Sequence, residues 1–391
     1  MEFHEGYNRL VNHDILPPPI WVSTTTGLKK LVDDLRSQPR VAVDTESNSL
    51  HAYREQVCLL QFSIPSADYL VDPLILLDLS PLAPLFSDPM IEKVFHAVEY
   101  DQICLKRDFG ITISNIFDTM QAARILGYKQ VGLDSMLAEK IGITLNKRYQ
   151  KADWGGRPLS PEMLNYARLD THHLLDLRDA LQAELKARGR WELAYEEFAR
   201  LAAGNGVIKP EVPSWQRVKG TQHFTPRQLT ILNELCLWRD AQAEKMARPV
   251  FKVMDDKRLV SIALATPKTQ ADLEALNLTP RQVYVFGDNI LQAVMRGKKA
   301  YLIQRTHTGR PDPNFLDRLN LLSGWRKDIA LKIGVESDIV LPKAWMHTIA
   351  EQNPKNMLEL SALMPKAPWR LGAFGVEILK TLQNRGGSSQ K

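Results

Sequence analysis

RVAVDTE, residues 40–46, reads as a β-strand that ends in two carboxylates, Asp44 and Glu46. Side chains alternate across a strand, so positions i and i+2 project from one face. Two anions held that close repel each other, and burying them unpartnered is costly. A divalent cation removes both problems. Water at a strand edge does so too, and for an isolated D-x-E the solvated pair is the commoner case. The rest of the chain decides between them.

Working outward, VCLLQFSI (57–64) and DYLVD (68–72) read as strands whose short connections predict antiparallel neighbours. IEKVFHA (91–97) predicts a fourth strand feeding a helix over 99–109. Helical patterns follow over 116–126, 132–141 and a long stretch from 161 to 186, opened by Ser160 as N-cap and Pro161 at the first helical position. Strands followed by helices predict an α/β domain with a mixed sheet. GNGVIKPEVPSWQRVK (204–219), with two glycines and two prolines, predicts a linker into a mainly helical half.

That half repeats itself. Trp238 and Arg239 recur as Trp325 and Arg326, Ile262 and Ala263 as Ile349 and Ala350, Pro267 as Pro354, and Leu273 as Leu360, each 87 residues on. Phe286-Gly287 and Ile290-Leu291 recur 88 residues on, so one indel separates two copies of a small helical module. THTGRPDP (306–313) predicts a linker between them, and GGSSQK a terminal tail.

A chain of 391 residues, 44% hydrophobic and 24% charged, has room for two or three domains and falls outside the disordered and fibrous classes. Cys58, Cys104 and Cys236 lie far apart with no CxxC pair, which argues against disulfides or zinc and predicts the reducing cytoplasm. MEFHEGYNRL has no apolar core, so no signal peptide is expected, and the apolar run at 74–79 is too short for a bilayer. Residues 1–205 carry 22 basic and 28 acidic side chains, net −6, whereas residues 206–391 carry 28 and 17, net +11. A basic half suits a polyanionic partner or a lysine-rich solvated surface.

Asp101 opens the helix after FHAVEY, where a carboxylate alone would be a dipole partner. Tyr166 and Asp170, in YARLD, share a helix face at i, i+4. Together these positions give four carboxylates and a phenol, in order, in matching contexts: VAVDTESNSL, VFHAVEYDQICL and DWGGRPLSPEMLNYARLDTHHLL. The constellation resembles the DEDD exonuclease superfamily, in its tyrosine subgroup. The trailing modules look like HRDC domains, and over roughly residues 20–385 the chain resembles the ribonuclease D family.

The resemblance implies an α/β ribonuclease-H-like exonuclease domain over 1–205, then two all-α HRDC-like domains over 220–300 and 315–385. Asp44, Glu46, Asp101 and Asp170 would hold two divalent metal ions, Mg²⁺ or alternatively Mn²⁺, and Tyr166 would orient the attacking water. The implied reaction is 3′→5′ release of nucleoside 5′-monophosphates from RNA ends, with precursor tRNA as substrate. Phosphodiester hydrolysis needs a nucleophile near neutral pH and charge stabilisation at the leaving oxygen, and two ions about 3.5–4 Å apart supply both. A phenol with a pKa near ~10 is a poor base, which favours orientation as its role. His96, His172 and His173 are expected in neutral packing or RNA contact, Asp118 in a structural role, and Asp153 and Trp154 along the RNA path. The site residues do not separate RNA from DNA, so a DNA exonuclease is one alternative and a non-catalytic nucleic-acid-binding protein another. No GxxxxGK[ST] loop occurs, so no nucleotide cofactor is expected. A fragment ending near Ala203 keeps every predicted site residue and is expected to cleave short oligonucleotides unaided.

Overall fold

Two elements precede the acidic strand and are not among the expectations above, although Leu28, Leu31, Val32 and Leu35 fall at helical spacing. Strand β1 (Ile20–Val22) is three residues long, and helix α1 (Thr25–Arg36) starts where the Thr24 hydroxyl accepts the Gly27 N–H at 3.1 Å. The computed structural model describes residues 16–204, 212–305 and 312–383. The amino-terminal decapeptide, part of each predicted linker and the terminal tail lie outside the described residues.

Strands β2 (Arg40–Ser47), β3 (Val57–Ile64) and β4 (Ala67–Val71) form where the alternation predicts them. After helix α2 (Ala83–Ser87), β5 (Glu92–Phe95) runs into α3 (Glu99–Phe109). The predicted helix over 116–126 is instead strand β6 (Ile116–Asp118) followed by helix α4 (Thr119–Leu126). Pairing with β5 outweighs the local helical pattern there, and Asp118 ends the strand by capping the helix, its carboxylate accepting the Gln121 N–H at 2.9 Å.

Helix α5 (Leu133–Ile141) follows. The long helix predicted from 161 to 186 is two, α6 (Pro161–His172) and α7 (Leu174–Ala187), interrupted at His173. Thr171 Oγ1 donates back to the Arg168 carbonyl at 3.2 Å, a local bond that bends helices, and meets Ser63 Oγ at 2.7 Å. His172 Nδ1 meets Asp68 at 2.9 Å. These tethers fix α6 to the sheet. Helix α8 (Trp191–Gly204) closes the layer.

The sheet order is β1-β4-β3-β2-β5-β6. β3 and β4 are antiparallel, as expected, while β1–β4, β2–β5 and β5–β6 pair in parallel. On β2 the period of two sorts the faces. Val41 and Val43 enter a core with Leu28, Leu31 and Leu35 of α1, and Ala42 enters another with Leu174 and Leu181 of α7. Asp44 and Glu46 continue the Ala42 face. A one-residue slip would drive them into the α1 core, and each buried Val or Leu resists that by about 1.5–3 kcal/mol.

The chain forms two compact units. The described residues of Met1–Glu46, Val57–Val207 and Arg310–Lys391 make one, and those of Ser47–Gln56 and Ile208–Gly309 the other. The second unit contains α9 (Ser214–Arg217), α10 (Pro226–Lys245), α11 (Val250–Val253), α12 (Asp256–Ala265), α13 (Gln270–Glu274) and α14 (Pro280–Lys299). Helix α9 falls inside the first predicted linker, because Trp215 is buried in this unit's core.

Helices α15 (Pro313–Ile333), α16 (Ser337–Val340), α17 (Lys343–Gln352), α18 (Met357–Leu363) and α19 (Pro368–Gln383) belong to the first unit. They repeat α10–α14 in structure. Arg239 donates to the Met254 carbonyl at 3.0 Å and Arg326 to the Leu341 carbonyl at 2.9 Å. Trp238 meets Phe286 edge-on at 5.6 Å, and Trp325 meets Phe374 at 5.9 Å.

The second copy is welded to the sheet-and-helix layers. At the start of α19 the Trp369 and Arg370 N–H groups donate to Glu196 of α8 at 2.7 and 3.1 Å. The fully buried Arg370 guanidinium donates to Glu196 and Glu197, each at 2.7 Å. Arg124 of α4 pairs with Glu336 at 2.9 Å and Asp338 at 2.6 Å. Ile339 joins the core formed by α4, α7 and α8, with Val335 and Trp369 packed against it. No helix among the described residues is long and apolar enough to cross a membrane.

Candidate active site

The end of β2 supplies Asp44 and Glu46, and α6 supplies Asp170 across from them. One carboxylate oxygen from each lies within 4.8 Å of the other two. Among the described residues no other group of three or more His, Cys, Asp or Glu side chains converges so closely. Asp101, in the first turn of α3, lies outside that triplet but within its electrostatic reach. It is buried, and its Oδ1 accepts the Thr45 hydroxyl at 2.5 Å. The structure therefore brings three predicted carboxylates together and places the fourth beside them.

Burial pushes the Asp44 carboxyl well above its ordinary range, and the charges of Asp101, Asp170 and Glu46 push the same way. Glu46 is raised by burial, then by Asp170 and Asp101. Burial raises Asp170 to about 7, and also Asp101 to about 7 against the opposing Thr45 hydrogen bond. No lysine or arginine among the described residues forms an ion pair with any of the four. Such a cluster is short of positive charge. Its donors are all hard oxygens on rigid elements, which fits a divalent cation such as Mg²⁺.

Tyr166 sits one turn before Asp170 on α6. Its ring centroid lies 5.9 Å from that of Tyr149 and 6.1 Å from that of Trp154. Burial, and then the charges of Asp170, Glu46 and Asp44, raise its hydroxyl pKa. With no cation beside those carboxylates the phenol stays protonated. Beside it opens a pocket of about 410 Å³ lined by Arg148, Tyr149, Asn165, Tyr166, Leu169 and Asp170.

Of the other sequence candidates, Asp118 is structural, as expected: besides capping α4 it accepts the Val98 N–H at 2.9 Å. His96 is held neutral by burial, with its pKa lowered to about 4, and its Nδ1 meets Thr119 Oγ1 at 2.9 Å. His172 binds Asp68, and His173 is buried at the α6–α7 break. Trp154 is buried, 1% exposed, so it braces Tyr166 rather than lining an RNA path. Sequence reasoning missed Thr45, Arg148 and Tyr149. Thr45 lies between the two motif acids, so its position was on view, but nothing local shows that it reaches a helix 56 residues away.

Residues 19–186 match the 3′-5′ exonuclease family, and residues 228–294 and 315–382 each match the HRDC domain. The fold and site thus define an exonuclease domain followed by two HRDC domains. Ribonuclease D of Nitrobacter hamburgensis is 32% identical over 280 residues, covering 71% of this chain and 73% of that protein. Ribonuclease D of Bartonella henselae is 28% identical over 98% of this chain and 92% of that one. The chain belongs to the ribonuclease D family.

RRP6-like 2 of Arabidopsis thaliana is 33% identical over 72% of this chain, yet the chain spans only 34% of that protein. Among solved structures, the catalytic core of Trypanosoma brucei RRP6 superposes with a TM-score of 0.62 at 30% identity, covering 73% of this chain and 81% of that one. Escherichia coli RNase D, at 24% identity and a TM-score of 0.70 over 94% of this chain and all of that one, shares the fold.

Proposed function

We propose that this protein is a 3′→5′ exoribonuclease that releases nucleoside 5′-monophosphates from RNA ends, with precursor tRNA 3′ trailers as substrate in the cytoplasm. The carrying observation is the convergence of Asp44, Glu46 and Asp170 within 4.8 Å, without a protein cation to neutralise them. In this reading Asp44, Glu46, Asp101 and Asp170 hold two divalent ions, Mg²⁺ in the first instance. When bound, the ions supply a water nucleophile at neutral pH and stabilise charge at the leaving 3′ oxygen.

The chain's own residues do the rest. Asp44 and Glu46 are fixed by the register of β2, and Asp170 by the tethers of α6. Thr45 aims Asp101. The protonated Tyr166 hydroxyl, braced between Tyr149 and Trp154, orients the water, and the adjoining pocket with Arg148 seats the terminal nucleotide. The names of the relatives support RNA over DNA as substrate. The domain reading is an exonuclease domain over 1–205 with helical domains over 220–300 and 315–385.

A time course on 5′-labelled single-stranded RNA with Mg²⁺ tests this. A ladder shortening one nucleotide at a time, abolished by EDTA, is expected. Cleavage of a circular RNA, or activity in EDTA, would overturn it.

A further inference from the structure

DWGGRPLS (153–160) contains one basic side chain, Arg157, that neither the metal cluster nor the pocket beside it uses. It lies in the stretch 142–160, which joins α5 to α6 without a helix or strand of its own. A connection that long keeps one shape only where side chains tie it down, and such loops usually carry function. This one carries Tyr149 and Trp154, the two rings packed on Tyr166.

Arg157 is the tie. Its Nε and Nη2 donate to the two Asp72 carboxylate oxygens at 2.7 Å each. Nη2 also donates to the Cys58 carbonyl at 2.8 Å, and Nη1 donates to the carbonyls of Trp154 and Gly156, both at 2.8 Å. Every guanidinium N–H is thereby used. Asp72 follows β4 with its side chain fully buried, and Cys58 belongs to β3, so Arg157 fastens the loop to two paired strands.

Trp154 depends on that fastening. Its ring is buried, and its indole N–H has no hydrogen-bond partner among the described residues. The ring is placed by packing and by its backbone, and Arg157 holds that backbone at the Trp154 carbonyl. The path onward is short, because the Trp154 ring lies 6.1 Å from that of Tyr166, one turn before Asp170 on α6. A cation beside such a site is ordinarily a phosphate contact. Arg157 has no N–H left for one, and Asp72 already balances its charge.

We propose that Arg157 is a positioning residue for the hydrolysis: by clamping the loop to β3 and β4 it holds Trp154 against Tyr166 and so sets where the phenol hydroxyl points. The proposal rests on the exoribonuclease reading, in which that hydroxyl orients the attacking water. Lysine at this position would keep a charge opposite Asp72 but cannot form the planar fork that also takes three carbonyls.

The test uses the full-length protein. With fluorotryptophan incorporated, the fluorine resonance missing from W154F reports Trp154 whether or not the protein is active. It is expected to shift and broaden in R157Q and to move less in R157K. The ladder assay supplies the second readout. R157Q is expected to lower kcat about 10-fold or more, with KM for RNA and the Mg²⁺ dependence changed less than ~3-fold, since a small misplacement of a positioning group is felt in the chemical step. R157K should recover part of that loss. In a Tyr166→Phe background, where the hydroxyl is already gone, R157Q should lower kcat less than ~3-fold, because groups that act through one atom are not additive. R178Q, which cuts the Arg178–Glu92 pair in the same unit, is the matched control: it should lower Tm and change kcat less than ~2-fold.

A Trp154 resonance unmoved in R157Q would overturn the clamp. Losses that multiply in the double variant, or an equal kcat loss in R178Q, would overturn the positioning role and leave Arg157 as a structural tie. If R157Q melts too early to assay, R157K in the two backgrounds carries the same comparison. A wild-type chain that forms no ladder loses the exoribonuclease reading and the positioning role with it, while the resonance still decides the clamp.

Discussion

Thr45 lies between Asp44 and Glu46 in sequence and reaches Asp101 in space through a 2.5 Å hydrogen bond. Thr45→Val keeps the shape and removes the donor. It should weaken Mg²⁺ binding about 10–100-fold, as losing the partner of a metal-ligating carboxylate does, measured by calorimetry or by the Mg²⁺ dependence of rate. Tyr166→Phe should lower kcat by about 10²–10⁴-fold with metal content unchanged, and an unaltered kcat would reduce the tyrosine to packing. The four carboxyls are all raised above their ordinary range near ~4, two of them to about 7. Between those limits the folded, metal-free protein binds more protons than the unfolded chain, so its stability should fall as pH rises from about 4 to 7. The Tm in EDTA should drop over that window, and saturating Mg²⁺ should recover it at pH 7.5. A flat profile in EDTA would show that the cluster carries no such strain. The spacings of Asp44 and Glu46 and of Tyr166 and Asp170 were legible because each pair sits on one element, a strand and a helix, whereas Asp101 stands alone on a second helix. Thr45, Arg148 and Tyr149 were not legible, because their roles exist only across folded elements.

At the level of elements, Asp118 joins two helix starts. Its carboxylate caps α4 at Gln121 and takes the Val98 N–H just before α3, the helix that carries Asp101. Asp118→Ala removes the cap and leaves buried amides unsatisfied, so it should cost about 2–4 kcal/mol by urea denaturation. Asp118→Asn, which keeps an acceptor, should cost less, and equal costs would show that the carboxylate is not the fastener. The sequence assigned this region to one helix because Ile116 and Phe117 fit a helical pattern as well as a strand. Only the partner strand β5 breaks the tie. The α6–α7 interruption was hidden for the same reason: Thr171 and His172 look like ordinary helix residues until Ser63 and Asp68 stand opposite them.

For the whole molecule, the repeat of 87 residues was readable, but the fate of each copy was not. The second copy packs on the same unit as the sheet, which weighs against the expectation that a fragment ending near Ala203 works unaided. A fragment ending at Gly204 would leave Glu196 without its buried partner and would uncover the apolar side of α8. It should melt well below the full chain by circular dichroism, and equal melting would mean that the brace is dispensable. In the intact protein, Arg370→Ala should cost about 3–5 kcal/mol, because it strips the buried Glu196 of its cation and leaves Glu197 with Arg200 alone. Glu196 lies 174 residues ahead of Arg370. At ordinary elongation rates that gap lasts on the order of 10–30 s, during which the metal-site strands and helices have left the ribosome and their clasp has not. A polypeptide cut short by an early stop codon or a broken message would therefore never close, and a nascent hydrolase beside its own mRNA would gain its final rigidity only after the last helix had been made.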